Sequence, residues 1–171
     1  MYVVDFLRSR GVGFETFLHV PASSATKLAR ISHVAGRSVA KTVLVQTGMA
    51  PVLAVLPATL RIDLDRLAGA LGLAPGSVRL ATSEEIDEIF QDCEPGTIPA
   101  FGRLYGIRTV VEKSLSGDGM VVLPTNTRHL GLKMPFHDYE RLEEPLRAAF
   151  GSPITHTPRA AANRKHRRRA G

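Results

Sequence analysis

Lys41 stands among valines. In the run Val39-Ala40-Lys41-Thr42-Val43-Leu44-Val45, strand alternation puts Val39, Lys41, Val43 and Val45 on one face and Ala40, Thr42, Leu44 and Gln46 on the other. An ammonium on such a face is costly unless it meets an anion, snorkels to water or loses its proton, so the position asks for a partner. A lysine also keeps a strand edge from pairing with another chain, and spacing leaves both roles open. The second group is Glu94-Pro95-Gly96-Thr97-Ile98-Pro99-Ala100-Phe101-Gly102, with two prolines and two glycines in nine residues. Such a loop is stiff, and its glycines let a ligand approach the backbone. Backbone N–H groups fixed in a turn make an oxyanion or phosphate cradle, although a Pro/Gly loop can equally be a plain connection. The segment matches neither a P-loop nor a dinucleotide fingerprint.

Other chemistries are poorly supported. His19, His33, His129 and His137 are scattered, and no pair has the helical spacing of metal ligands, so no metal site and no cofactor are expected. Cys93 has Glu94 beside it and no basic neighbour in sequence, which favours an inert thiol over a nucleophile. Ser114 and Ser116 lack a nucleophile-elbow context. A single cysteine forbids an intramolecular disulfide and fits a reducing, cytoplasmic setting. The N-terminal residues, with Asp5 among them, do not read as an export signal. The longest apolar stretch, residues 52–56 between two prolines, is far short of the ~20 residues a bilayer span needs, so no membrane association is expected.

Charge is unevenly placed. The net charge is +6, and Arg159, Arg164, Lys165, Arg167, Arg168 and Arg169 supply six positive charges after residue 150 with no acid among them. The preceding body is therefore neutral, and any general attraction for polyanions is concentrated in the tail. With 6% aromatic residues and no Trp, a platform stacking several bases is not expected.

The elements that must position these groups follow from periodicity. Residues 3–10 read as an amphipathic helix ended by Gly11, residues 14–18 as a strand, and residues 25–34 as a helix capped by Ser23 or Ser24. Residues 39–46 and 52–56 read as an antiparallel hairpin turning near Gly48. Asp63 and Ser83 begin surface helices, and residues 109–112, 120–123 and 129–134 read as strands. A last helix is expected over residues 138–150. Without regular strand–helix alternation, the fold expected is mixed α+β, with a mostly antiparallel sheet or partly open barrel surrounded by helices. A hydrophobic fraction of 44% over 171 residues supports one core. One domain is expected over residues 1–151, followed by a basic tail, 152–171, too poor in apolar residues to order itself.

Two segments carry a family resemblance. Gly36-Arg37-Ser38-Val39-Ala40-Lys41-Thr42-Val43-Leu44-Val45 and Asp92-Cys93-Glu94-Pro95-Gly96-Thr97-Ile98-Pro99-Ala100-Phe101-Gly102, in that order, resemble the lysine-bearing strand and the glycine/proline loop of the YbaK/prolyl-tRNA synthetase-associated domain family. The likeness spans about residues 1–150. It implies an aminoacyl-tRNA deacylase that needs no cofactor and hydrolyses mischarged tRNA carrying a small amino acid. It places Lys41, Gly96, Thr97, Ile98, Pro99 and Gly102 in the catalytic site, and His19, Ser24, Arg128 and His129 against substrate. Implied partners are mischarged tRNA and a prolyl-tRNA or other synthetase. The chain departs from relatives where His19-Val20-Pro21 and Ser24 replace a His-Pro pair and a Thr, and where Arg128 follows Thr127 in place of a histidine. The alternative expectation is a non-catalytic RNA-binding or synthetase-associated protein of the same fold.

Overall fold

In the computed structural model, the described residues are 2–19, 35–115 and 119–154. The expected helix 25–34 and Ser24 lie outside them.

The apolar run after Pro51 becomes a central strand because it must be covered on both sides. Strand β3 follows β1 (Glu15–Leu18) and β2 (Ala40–Gln46), runs Val52–Pro57, and is buried at every position. Its Leu53 and Val55 enter one hydrophobic cluster with Phe6, Leu44, Phe101 and Tyr139, while Val52, Ala54 and Leu56 enter a second with Val45, Leu67 and Phe150. The same alternation divides β2, which pairs antiparallel with β3 so that Lys41 lies opposite Leu56. The expected hairpin is present.

Further strands are β4 (Leu60–Ile62), β5 (Arg79–Leu80), β6 (Arg108–Glu112), β7 (Met120–Pro124), β8 (Leu130–Pro135), β9 (Leu146–Ala148) and β10 (Gly151–Pro153). They form a mixed five-stranded sheet in the order β5-β2-β3-β6-β9, an antiparallel sheet β1-β8-β7 and a pair β10-β4. Only β3–β6 and β6–β9 are parallel pairs within these sheets. A parallel bridge between Val39 and Val122 joins the start of β2 to β7. The architecture is the expected mixed α+β class and is not a closed barrel.

Helix α1 (Val3–Ser9) buries Val3, Phe6 and Leu7. Helix α2 (Leu64–Ala70) starts at Asp63, whose carboxylate accepts the Arg66 N–H at 3.1 Å. Helix α3 (Ser83–Ile89) has a full capping box in which Thr82 and Glu85 satisfy each other's backbone N–H groups. These helices match the periodic pattern. No helix among the described residues is long and apolar enough to cross a membrane.

The expected helix 138–150 is corrected. Helix α4 is Phe136–Glu143, Glu144 adopts φ +44°, and Pro145 follows. The proline ring cannot continue a helix and disfavours the helical region at the residue before it. The chain turns instead into β9 and β10, held by Glu112, whose carboxylate accepts the Phe150 N–H at 2.6 Å. Ser152 and Pro153 pair with Arg61 and Leu60, so ordered structure runs past the expected limit at residue 151. The basic residues of the tail lie outside the described residues.

Candidate active site at the head of the central hairpin

Where β2 leaves the bridge to β7, the two sheets diverge and the loop after α3 fills the gap. The Ala100 N–H donates to the Pro124 carbonyl at 3.3 Å, and the Glu94 N–H to the Asn126 carbonyl at 2.9 Å. On the other side, the Thr42 hydroxyl of β2 donates to the Ile98 carbonyl. A cleft of about 390 Å³ remains between these walls. His19, Lys41, Gly96, Thr97, Ile98 and Arg128 border it, together with Thr42, Thr127 and apolar residues of β7 and β8.

The lining is basic. It contains Lys41, Arg128 and His19 and no carboxylate. Lys41 forms no ion pair among the described residues, and burial together with the nearby Arg61 guanidinium holds its ammonium below lysine's ordinary range. A cation destabilised in this way gains most from an incoming anion. Arg128 lies across the loop, its guanidinium donating to the Pro95 carbonyl and its main-chain N–H to Glu94 Oε2 at 2.8 Å.

The loop also keeps donors in reserve. Thr97 N–H is spent on the Glu94 carbonyl at 2.9 Å, but the N–H groups of Gly96 and Ile98 have no acceptor among the described residues. The buried Thr97 hydroxyl has none either. Unpaired backbone donors beside a cleft are suited to an oxyanion or a carbonyl oxygen.

The structure thus brings together Lys41, Gly96, Thr97, Ile98, His19 and Arg128. Three expected members do not line the cleft. Pro99 is buried behind the loop. Gly102 packs against the start of β6, where an added Cβ would lie 2.4 Å from Thr109 Oγ1 and 2.6 Å from the Ile107 carbonyl oxygen, so its small size serves packing. His129 is exposed, and its carbonyl accepts the His19 N–H at 2.8 Å. The sequence does not single out Thr42 or Arg61; alternation puts Thr42 on the face opposite Lys41, and the structure turns that face to the loop at Ile98.

Behind the cleft, Cys93 contacts a polar group formed by Asp92, Tyr105 and Asn126. Asn126 donates to the Tyr105 hydroxyl at 2.9 Å and to Cys93 Sγ at 3.2 Å, and Tyr105 donates to Asp92 at 2.9 Å. Burial pushes the Cys93 thiol up, although the hydrogen bond from Asn126 and the contact with the Tyr105 hydroxyl work the other way. Among the described residues no three His, Cys, Asp or Glu side chains come together as a metal site.

The sequence profile of the aminoacyl-tRNA editing domain family matches residues 19–142, a span that includes the whole cleft. No curated protein matches significantly. A solved structure described as a "putative trans-editing enzyme for prolyl tRNA synthetase" superposes with a TM-score of 0.76 at 20% identity, covering 88% of this chain and 94% of that one. "Hypothetical protein APE2540" gives 0.71 at 18%, covering 88% and 99%. A scaffold protein used for computational epitope grafting gives 0.74 at 16%, covering 86% and 93%. At these identities the likeness is one of fold.

Proposed function

Because the chain belongs to the aminoacyl-tRNA editing domain family, we propose that it is a deacylase that hydrolyses the ester of mischarged tRNA in this cleft. The observation that carries the reading is the composition of the cleft, which is lined by Lys41 and by Gly96 and Ile98, whose N–H groups have no acceptor among the described residues, and by no carboxylate.

An aminoacyl ester is already activated, so hydrolysis needs positioning and oxyanion stabilisation more than a strong nucleophile. Lys41 holds the phosphate at the 3′ end of the tRNA as a charge-assisted contact. The Gly96 and Ile98 N–H groups receive the carbonyl oxygen as it becomes an oxyanion. Water attacks the carbonyl carbon, the bond to the terminal ribose oxygen breaks, and that oxygen leaves as the hydroxyl after taking a proton from the attacking water. The products are the free amino acid and uncharged tRNA.

A small amino acid is the substrate class that fits. A synthetase pocket discriminates one methylene by only ~1–3 kcal/mol, so small amino acids are the ones left on the wrong tRNA. Prolyl-tRNA synthetase or another synthetase of the cytoplasm supplies the mischarged product. Incubating the full-length protein with tRNAs carrying alanine, serine, threonine, cysteine and their cognate residues tests the proposal. Enzyme-dependent release of one or more small amino acids is expected. Tight tRNA binding without release of any amino acid would favour the non-catalytic alternative.

A further inference from the structure

Residues 94–97 form a turn with Pro95 and Gly96 at its centre. Thr97 N–H donates to the Glu94 carbonyl at 2.9 Å, and Gly96 has φ +75°. Proline followed by a glycine at positive φ is the pattern of a type II turn. The Pro95 carbonyl and the Gly96 N–H belong to one planar trans peptide and so point in opposite directions. A type I turn differs mainly by a flip of this same peptide. Whatever grips the Pro95 carbonyl therefore sets the direction of the Gly96 N–H.

Arg128 grips it. Its Nη2 donates to the Pro95 carbonyl, and the same nitrogen would lie 3.3 Å from a Cβ added at Gly96. Its own N–H holds Glu94 Oε2 at 2.8 Å, so one residue ties down both the first residue of the turn and its central peptide. No carboxylate pairs with the guanidinium among the described residues, although the side chain is exposed at the cleft mouth. Thr42 anchors the far side of the same loop at the Ile98 carbonyl. The loop is thus clamped at the carbonyls on either side of Thr97, while the Gly96 and Ile98 N–H groups remain open.

We infer that Arg128 is a positioning residue that holds the Pro95–Gly96 peptide in one orientation and so presents the Gly96 N–H to the substrate's carbonyl oxygen. The inference rests on the deacylase reading and assigns Arg128 to the loop, where the sequence alone suggested contact with substrate. The arrangement is economical of substrate contacts: the guanidinium acts through the peptide it holds and leaves phosphate binding to Lys41.

The test compares the full-length protein with Arg128→Ala and Arg128→Lys, using the mischarged tRNA that the wild type turns over. A misplaced donor should lower kcat by about 10- to 100-fold in Arg128→Ala with KM nearly unchanged. Arg128→Lys should recover part of the loss, since an ammonium can still reach one carbonyl. The Gly96 amide resonance should move in the free Arg128→Ala protein while resonances distant from residues 94–98 stay in place. A raised KM with unchanged kcat, an unchanged kcat, or an unmoved Gly96 amide would overturn the assignment. An inactive wild type would count against the deacylase reading instead, and the Gly96 amide, which needs no substrate, would then decide the role of Arg128.

Discussion

At its Gly96 end the loop is exposed, adopts φ +75° and keeps N–H donors without acceptors among the described residues, whereas at its Gly102 end it is buried and leaves no room for a Cβ. Both glycines belong to the same Pro/Gly-rich segment. The first is required by a backbone conformation beside the cleft, and the second by packing against Ile107 and Thr109. Composition marked the whole segment as special and could not divide it, because the division depends on which neighbours the fold brings to each end.

The contrast is broken most sharply by bulk. Gly102→Val should destabilise the protein by roughly 1–3 kcal/mol from overpacking alone, with a further loss from Thr109, whose hydroxyl donates to the buried Glu143 at 2.7 Å. A fall in Tm of roughly 5–10 °C is expected in thermal unfolding. Gly96→Val should lower kcat by about 100-fold through loss of the aimed donor, while the positive φ costs only about 1–2 kcal/mol of stability. A larger fall in Tm for Gly96→Val than for Gly102→Val, or an unchanged kcat in Gly96→Val, would erase the distinction between the ends of the loop.

A smaller effect concerns the charge state of Lys41. Its ammonium is held below the ordinary lysine range by burial and by Arg61, so activity that depends on the charged form is present at lower pH and is lost as pH rises through the lowered pKa. Arg61→Gln removes one cause and should move the alkaline limb of the kcat/KM profile to higher pH. An unmoved limb would mean that Arg61 does not act on Lys41 during catalysis. The smallest effect is expected from the tail. Removing residues 155–171 leaves β10 intact, takes away six basic residues, and should raise KM while flattening its salt dependence, without altering the single-turnover rate at saturation.

Local patterning made much of this fold legible. The alternation of residues 39–46, the apolar run after Pro51 and the helix starts at Asp63 and Ser83 each map onto an observed element, because each is decided by neighbours in sequence. The last helix ends earlier than its apolar spacing suggests, because that spacing continues past Pro145, where the missing N–H and the proline ring stop a helix. The site was half legible. Lys41 stood out by its face and Gly96 by its loop, but the grip of Arg128 on Pro95 joins residues 33 apart in sequence, and the Thr42 bond to Ile98 joins residues 56 apart. Nothing local announces either contact.

The most direct test of the central claim is the single-turnover rate of ester hydrolysis on one mischarged tRNA, measured at saturating protein for the wild type and for Lys41→Ala. Lys41 is only partly buried, so its replacement should leave thermal unfolding nearly unchanged. The account predicts rapid release by the wild type and loss of most of that rate in Lys41→Ala, with the remainder near spontaneous hydrolysis. Equal rates for the two proteins would contradict it and place the chemistry somewhere other than this cleft.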